Sequence, residues 1–313
     1  MDALDSGRFV QGKSPGGTWP VDDVVSSSSP SPSPSSSSYQ VHLVPIFSDN
    51  YSYLILGASG ACLAVDPADP DAFWAAAESC GATTLAGILT THHHRDHSGG
   101  NAALSRRFPG VPVYASRTEM AKTPAATHPV GAGDSWAPGM LLPGVRVDVL
   151  ETPCHTAGHV SYVVTDEAHP ERPPSLFCGD TLFVGGCGRF FEGDGEDMAR
   201  SLLDPAAHGI GSLLAARPEA LVFCGHEYTV SNLRFAAELL PDNKRVRDKL
   251  AWAMTRREQG IPTVPSTLDE EMGYNPFMRS GTDEVASAVG MGPATAANRA
   301  AVMTEVRRRK DAF

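Results

Sequence analysis

A run of histidines and one aspartate forms the densest group of potential metal ligands in the sequence. Residues 91–97 read THHHRDH and directly follow the apolar stretch LAGILT. Alternate residues of an extended segment share a face, so His92, His94 and Asp96 can converge, while His97 at the turn can face a second centre. Neutral imidazole and carboxylate are ligands that zinc and iron accept without a thiolate. The spacing therefore predicts a metal site rather than a histidine-rich surface loop.

Three more candidate ligands each lie at the end of a separate strand-like run. His159 closes CHTAGH, Asp180 lies within SLFCGDTLF, and His226 lies within VFCGHE. Together with the first run they make seven ligands, which suit two divalent ions that share one bridging carboxylate. Such a pair can activate a water and polarise a carbonyl. We expect two zinc ions, with iron or manganese as alternatives because all three accept this ligand set.

The elements that must position these ligands begin abruptly at Tyr39. Short β-branched and aromatic runs broken by turn residues, typical of strands, alternate with helical patterns such as DAFWAAAESCG. After His226, apolar residues recur at three- and four-residue spacing, which indicates helices. The sequence predicts an α/β domain over residues 39–226 and a smaller α-helical domain over 227–313. Residues 1–38 contain SSSSPSPSPSSSS, which cannot offset the entropy of ordering, and are expected to form a disordered extension.

Composition excludes several classes of protein. The 313 residues carry a formal net charge of −11, which argues against a nucleic-acid partner, and no apolar run reaches the roughly 18 residues of a membrane span. The six cysteines form no C-x-x-C pair and are expected to be reduced, mostly buried thiols. We expect a monomeric cytoplasmic protein. Organellar targeting by the serine-rich N-terminus stays open, although acidic residues in this segment disfavour it.

The order of these ligands resembles the metallo-β-lactamase superfamily, whose motif is H-x-H-x-D-H followed by isolated His, Asp and His. The resemblance implies an α/β fold, a four-layer αββα sandwich with the metals at one edge of the paired sheets. It also implies a ligand set for each ion, with Asp180 shared. One ion would be held by His92, His94 and His159, and the other by Asp96, His97 and His226.

Several longer segments narrow the resemblance to glyoxalase II, the hydroxyacylglutathione hydrolase family. They include DNYSYLI, TPCHTAGH, GDTLFVGGCGRFFEG, KLAWA, PTVPSTLDEE, NPFMR and VRRRKD, and they extend from about Tyr39 to the C-terminus. The resemblance implies hydrolysis of S-(2-hydroxyacyl)glutathione thioesters, with S-D-lactoylglutathione giving glutathione and D-lactate in methylglyoxal detoxification. Two metals would activate the attacking hydroxide, and Asp96 and Asp180 would orient it as metal ligands.

The same resemblance implies how the substrate is held. The R-x-x-K pattern places Arg307 and Lys310 against the glycine carboxylate of glutathione. Residues i and i+3 of a helix share a face, and paired cations suit a carboxylate. Tyr228 would contact the glutathione backbone. Where the family often has Lys-Phe-Tyr, this chain has Arg189, which keeps the charge with a different geometry, and Phe191, which lacks the hydroxyl.

Three alternatives stay open at this point. A glutathione persulfide dioxygenase with a single iron uses a related substrate on the same fold, but it would not need seven ligands. A non-catalytic metal- or glutathione-binding protein is the second alternative, although every ligand position is filled. The third is a hydrolase that uses another thiol carrier, such as trypanothione. The pair Arg307 and Lys310 favours glutathione, which has a free glycine carboxylate.

Overall fold

The computed structural model describes Trp19–Pro20 and residues 37–313. The expected disordered extension over 1–38 lies almost entirely outside these residues. Within it, Trp19 and Pro20 form a short strand, β1 (Trp19–Pro20), whose partners in the next strand are Leu43 and His42. The disorder of the rest of the extension stays a prediction.

The described chain divides into two compact units. Of the described residues, the N-terminal unit contains Trp19–Pro20, residues 37–150 and Val160–Gly179, and the C-terminal unit contains Glu151–His159 and Asp180–Phe313. The two units interleave along the sequence. The limits of the predicted domains, 39–226 and 227–313, therefore stay predictions about the chain.

Two sheets and three helices make up the N-terminal unit over residues 37–150 and 160–179. Strands β1 to β7 form one mixed sheet in chain order, antiparallel from β1 to β4 and parallel from β4 to β7, and the second sheet has the order β11-β10-β9-β8. The elements after β1 are β2 (Tyr39–Ile46), β3 (Asn50–Gly57), β4 (Ala61–Val65), α1 (Pro70–Ser79), β5 (Thr84–Leu89), α2 (Arg95–Ser98), α3 (Asn101–Arg107), β6 (Val113–Ser116), β7 (His128–Val130), β8 (Ser135–Trp136), β9 (Val145–Glu151), β10 (Val160–Asp166) and β11 (Ser175–Gly179).

Helix α1 covers the outer face of the first sheet. The Asp69 side chain caps its N-terminus by accepting from the Ala72 N–H, and a proline occupies the first turn, as helix starts favour. Phe73 of this helix is fully buried in the core that it forms with the strands. The inner face of the same sheet packs on the second sheet, where the Tyr53 and Phe177 rings meet edge to face at 5.3 Å. The N-terminal unit is therefore a helix layer on two packed sheets.

The histidine-rich segment begins where β5 ends and is held by a close backbone approach. Gly100 follows α2, and a Cβ at this position would lie 1.9 Å from the Pro67 carbonyl oxygen. Only glycine allows that contact. The approach draws the end of the segment against the loop that follows β4.

Short strands and seven helices build the C-terminal unit. Strands β12 and β13 form a hairpin, and β14 pairs antiparallel with β15. The elements are β12 (Leu182–Phe183), β13 (Gly186–Cys187), α4 (Gly195–Leu203), α5 (Ile210–Ala216), β14 (Leu221–Cys224), α6 (Thr229–Leu239), α7 (Lys244–Glu258), β15 (Ser266–Thr267), α8 (Leu268–Tyr274), α9 (Asp283–Ala288) and α10 (Arg299–Ala312).

One strand run read from the sequence is wrong in part. SLFCGDTLF does not form a continuous strand, because β11 ends at Gly179 and β12 begins only at Leu182. Gly179 has φ +47, a left-handed conformation that glycine adopts without strain. The break leaves Asp180 and Thr181 in a turn.

Within the part of the chain that the structure describes, no helix combines the length and apolar character of a membrane span. All six cysteines are free, and five of them are buried. Burial raises the pKa of the Cys62, Cys187 and Cys224 thiols to about 12.

Candidate metal centre

His92 and His94 converge at the start of the histidine-rich segment. The His92 Nε2 and His94 Nδ1 atoms are 3.0 Å apart. Two nitrogen ligands of one tetrahedral ion, each about 2.1 Å from it, would be roughly 3.4 Å apart. The Thr91 hydroxyl lies 3.1 Å from His92 Nδ1 and orients the ring. This geometry suits joint coordination of one ion.

Asp66, which sequence reasoning missed, orients the last histidine of the segment. Its Oδ2 lies 2.9 Å from His97 Nδ1 and accepts from the Thr91 hydroxyl, while Oδ1 accepts from the Thr91 N–H. A carboxylate at Nδ1 holds the proton there, so Nε2 carries the lone pair that a metal needs. The only signal in the sequence is slight, an Asp-Pro pair directly after β4. In the structure, the Asp66 backbone has φ 47.

Asn50 and Glu119 hold the other members of the segment. Asn50 donates its side-chain N–H to Asp96 Oδ2 at 3.0 Å, and this oxygen lies 3.9 Å from His97 Nε2. Glu119 accepts the His93 backbone N–H at 2.9 Å and lies 3.1 Å from the His93 Nδ1 atom. His93 is thereby engaged by an internal carboxylate.

The C-terminal unit brings its three candidate ligands together by itself. Asp180 Oδ2 lies 3.4 Å from His226 Nε2, and the Asp180 backbone N–H donates to His159 Nε2 at 3.2 Å. All three side chains are buried. His155, which was not among the predicted ligands, places its Nε2 3.5 Å from the same Asp180 oxygen, while its Nδ1 bonds the Arg189 carbonyl at 3.0 Å.

Two hydroxyls orient His159. Thr152 Oγ1 and Thr181 Oγ1 lie 3.0 and 3.1 Å from His159 Nδ1. The Nδ1 atoms of His92, His97 and His159 are thus engaged by the protein, and the candidate ligand atoms are imidazole nitrogens and carboxylate oxygens. This donor chemistry fits divalent metal ions.

The cysteines beside the ligands do not supply a nucleophile. Cys154 donates its thiol to the Asp194 carbonyl, and Cys224 donates to the His226 carbonyl. Burial raises the pKa of Cys154 well above its ordinary value and that of Cys224 to about 12. Both therefore stay thiols at neutral pH, and only a thiolate is a competent nucleophile.

The proposed carboxylate-binding pair on α10 is engaged within the C-terminal unit. Arg307 is buried and donates Nη1 to the Cys187 carbonyl at 3.1 Å, and its Nη2 lies 2.8 Å from Asp311. Lys310 Nζ donates to the Ser231 carbonyl and hydroxyl at 3.2 Å. The two side chains therefore have different partners, although they lie one helical turn apart.

The other predicted substrate residues are exposed. Arg189 and Phe191 follow the β12–β13 hairpin, and the Phe191 ring lies 5.1 Å from that of His155. Tyr228 is half-exposed and stacks on His226 at 4.7 Å with an interplanar angle of 8°. These positions leave the three side chains accessible to a small molecule.

A buried carboxylate in α8 anchors the hairpin that follows Asp180. Glu271 accepts from the Gly185 N–H, the Asn275 amide and the hydroxyls of Ser266 and Tyr274. Asn275 in turn donates to the Phe183 and Gly186 carbonyls. Sequence reasoning missed this network because its members are far apart in the chain.

Comparison with known proteins gives two family matches that together span most of the chain. Residues 46–226 match the metallo-beta-lactamase superfamily, and residues 227–313 match the hydroxyacylglutathione hydrolase C-terminus. A cytoplasmic hydroxyacylglutathione hydrolase of Arabidopsis thaliana is 43% identical over 270 residues, which are 86% of this chain and 96% of the relative. A hydroxyacylglutathione hydrolase-like protein of Gallus gallus is 40% identical over 80% of this chain and 84% of its own length.

Among solved structures, a metallo-beta-lactamase from Staphylococcus aureus subsp. aureus COL has the same fold. It superimposes with a TM-score of 0.57 at 22% sequence identity, and the match covers 87% of this chain and 72% of that one.

Proposed function

This chain belongs to the hydroxyacylglutathione hydrolase family of the metallo-β-lactamase superfamily, and from that membership we propose how its residues hydrolyse a glutathione thioester. The predicted family and fold class are confirmed, and so is the prediction of a thioester hydrolase of the glyoxalase II type. The dioxygenase and the non-catalytic binding protein are not favoured by these matches.

The fold implies bound divalent metal, and the finer assignment is our proposal. His92, His94 and His159 would hold one ion, and Asp96, His97 and His226 would hold the other. Asp180 would contribute to both sets. When bound, zinc ions in such a set lower the pKa of a coordinated water to about 7 and polarise the substrate carbonyl. Imidazoles whose Nδ1 atoms are held by Asp66 and by threonine hydroxyls support this assignment.

The remaining steps depend on binding and orientation by side chains of this chain. Asp96, held by the Asn50 amide, and Asp180 orient the attacking water. The leaving group is a thiolate whose parent thiol has a pKa near 8.5, so the enzyme needs no strong general acid. Tyr228 and Arg189 contact the glutathione moiety, and Phe191 contributes apolar contact without a hydroxyl.

The substrate that we propose is S-D-lactoylglutathione, which gives glutathione and D-lactate. The observation that carries this proposal is the match of residues 227–313 to the family's own C-terminal region. We expect purified, metal-replete protein to release thiol from S-D-lactoylglutathione, detected with a thiol reagent, and to do so equally well without oxygen. Removal of metal by a chelator is expected to abolish the release. Absence of thiol release from the metal-replete protein would contradict the proposed function.

We propose further that Arg307 and Lys310 bind the glycine carboxylate of the substrate. The double variant Arg307→Ala and Lys310→Ala should raise KM at least about tenfold, because the loss of even one charged hydrogen bond costs about 1.5–3 kcal/mol. The value of kcat should change little, since binding energy shared by ground state and transition state affects KM alone. Steady-state kinetics measures both constants. Arg308→Ala is the control, because Arg308 is exposed on the same helix and pairs with Glu305. A fall in kcat at unchanged KM would contradict the assignment.

The cellular compartment of the enzyme is also a proposal. The name of the Arabidopsis thaliana relative supports action in the cytoplasm on a small-molecule substrate. The monomeric state and the expectation of neither nucleic-acid nor membrane partner stay predictions.

A further inference from the structure

Asp311, near the end of α10, lies against two of the cations assigned to the substrate. Its Oδ1 is 2.8 Å from Arg307 Nη2 and 3.7 Å from Arg189 Nε. The Asp311 and Arg189 side chains are 42% and 64% exposed, whereas Arg307 is 8% exposed. One carboxylate of the chain itself therefore lies between a buried and an exposed arginine, both in the C-terminal unit.

The donors of Arg307 show why this position matters. Nη1 is directed at the Cys187 carbonyl, and Nε is a buried atom with no hydrogen-bond partner among the described residues. The Phe277 ring lies 5.3 Å from the guanidinium carbon. Asp311 therefore pairs with the Nη2 end of the guanidinium, whereas Nη1 is engaged by the Cys187 carbonyl.

We propose that Asp311 is an internal competitor for the carboxylate of the substrate, a specificity-determining residue that sets KM and favours release of glutathione. The inference rests on the proposed function, because it takes the glycine carboxylate as the ligand of Arg307. Before substrate binds, Asp311 compensates a buried guanidinium, whose charge would be costly to leave unpaired. The Asp311 carboxylate is 42% exposed, so water can solvate it when an incoming carboxylate replaces it beside Arg307.

The two possible roles of Asp311, competitor or support for Arg307, predict opposite changes in KM when Asp311 is removed. If Asp311 competes, its removal frees the guanidinium and tightens substrate binding. If it merely holds Arg307 in place, its removal weakens binding. Lys310 Nζ donates to the Ser231 carbonyl and hydroxyl at 3.2 Å, whereas Asp311 pairs with Arg307 on the same helix.

The test compares KM for S-D-lactoylglutathione in the wild type, Asp311→Asn and Asp311→Glu. Asp311→Asn is expected to lower KM about two- to fivefold, which corresponds to up to about 1 kcal/mol for the loss of a partly exposed carboxylate partner. The value of kcat is expected to stay the same, since uniform tightening does not raise it. Asp311→Glu keeps the charge and is expected to keep the wild-type KM. Calorimetric titration with free glutathione is expected to show the same two- to fivefold tightening in Asp311→Asn.

Two controls separate competition from a general effect of charge. Glu305→Gln removes the same charge from α10, where Glu305 pairs with Arg308 and Arg309, and it is expected to leave KM unchanged. The thioester of glutathione glycine amide lacks the competing carboxylate, and its KM is expected to be equal in the wild type and Asp311→Asn.

An unchanged or raised KM in Asp311→Asn would overturn the inference, as would an equal fall with Glu305→Gln or with the amide substrate. Failure of the wild type to release thiol would contradict the proposed function instead. The titration with glutathione would then still decide whether Asp311 competes with a carboxylate.

Discussion

Replacing Asp180 by asparagine is expected to lower kcat for S-D-lactoylglutathione by more than about a hundredfold and to reduce the bound metal. Asp180 Oδ2 faces the Nε2 atoms of His226 and His155 at 3.4 and 3.5 Å, and the Asp180 backbone donates to His159. A neutral amide has nearly the same shape but lacks the charge that the proposed role of Asp180, a ligand shared by two cations, requires. Because loss of a group that only orients a ligand already costs about 10–100-fold, loss of the ligand itself should cost more. Steady-state kinetics together with metal analysis measures both effects.

Two matched variants control for charge and for indirect effects. Asp242→Asn removes a carboxylate from an exposed loop position and should leave kcat and metal content unchanged. Asp66→Asn changes the carboxylate that orients His97. Its kcat should lie between those of Asp180→Asn and Asp242→Asn, about 10–100-fold below the wild type. Full activity and full metal content in Asp180→Asn would remove Asp180 from the proposed ligand set.

The ligand types and their places at strand ends could be predicted because local pattern determines both. His92 and His94 follow a buried strand at alternate positions, so their convergence follows from strand geometry. Asp66 and Asn50 could not be predicted in the same way. Each reaches the segment through a tertiary contact across more than 20 residues of chain, and no local period reports such a contact.

The proposed substrate residues on α10 show a second limit of sequence reasoning. Spacing of three residues correctly places Arg307 and Lys310 one helical turn apart. Spacing does not report that Arg307 extends to the Cys187 carbonyl or that Lys310 extends to Ser231. The partners of long side chains depend on which groups the tertiary structure places within their reach, so two residues on one helix face need not bind the same ligand.

Helix α4 was not predicted, although its start has a recognisable signal. Asp194 and Asp197 form a capping box around its first turn. Gly195 sits within that turn because a Cβ there would lie 2.1 Å from the Thr304 hydroxyl oxygen of α10. In the sequence, a glycine at this point indicates a turn. In the structure, glycine is required here because α4 and α10 approach each other closely.

Glu271→Ala is expected to lower the free energy of unfolding by about 3–5 kcal/mol. Four donors converge on this carboxylate from β15, from α8, from the residue after it and from the β12–β13 hairpin. Alanine would leave them buried without an acceptor, at a cost of about 1–3 kcal/mol for each donor that cannot relax. At about 2–4 °C per kcal/mol for a large domain, thermal unfolding should begin roughly 10 °C lower. Calorimetry or circular dichroism measures the shift.

Glu271→Gln separates the charge of this group from its shape. The amide oxygen can keep the Gly185 and Asn275 bonds, and the amide nitrogen can donate to the Ser266 and Tyr274 hydroxyls after these rotate. The loss of stability should therefore be much smaller than with alanine. An alanine variant as stable as the glutamine variant would contradict the role of Glu271 as the acceptor that secures the hairpin after Asp180.

The pH dependence of the free energy of unfolding, compared between the wild type and Glu271→Gln, tests the Glu271 carboxylate directly. Complete burial raises the pKa of Glu271 above its ordinary value, although the donated hydrogen bonds oppose the shift. A carboxyl whose pKa is raised on folding stabilises most below its unfolded pKa of about 4.3 and loses that contribution as pH rises through its folded pKa. Glutamine does not titrate, so the stability of the wild type relative to Glu271→Gln should be greatest near pH 4 and should fall towards neutral pH. Denaturant unfolding across this range, with both proteins metal-free, measures the difference. A difference that grows with pH would mean that the hydrogen bonds outweigh burial and hold the folded pKa low.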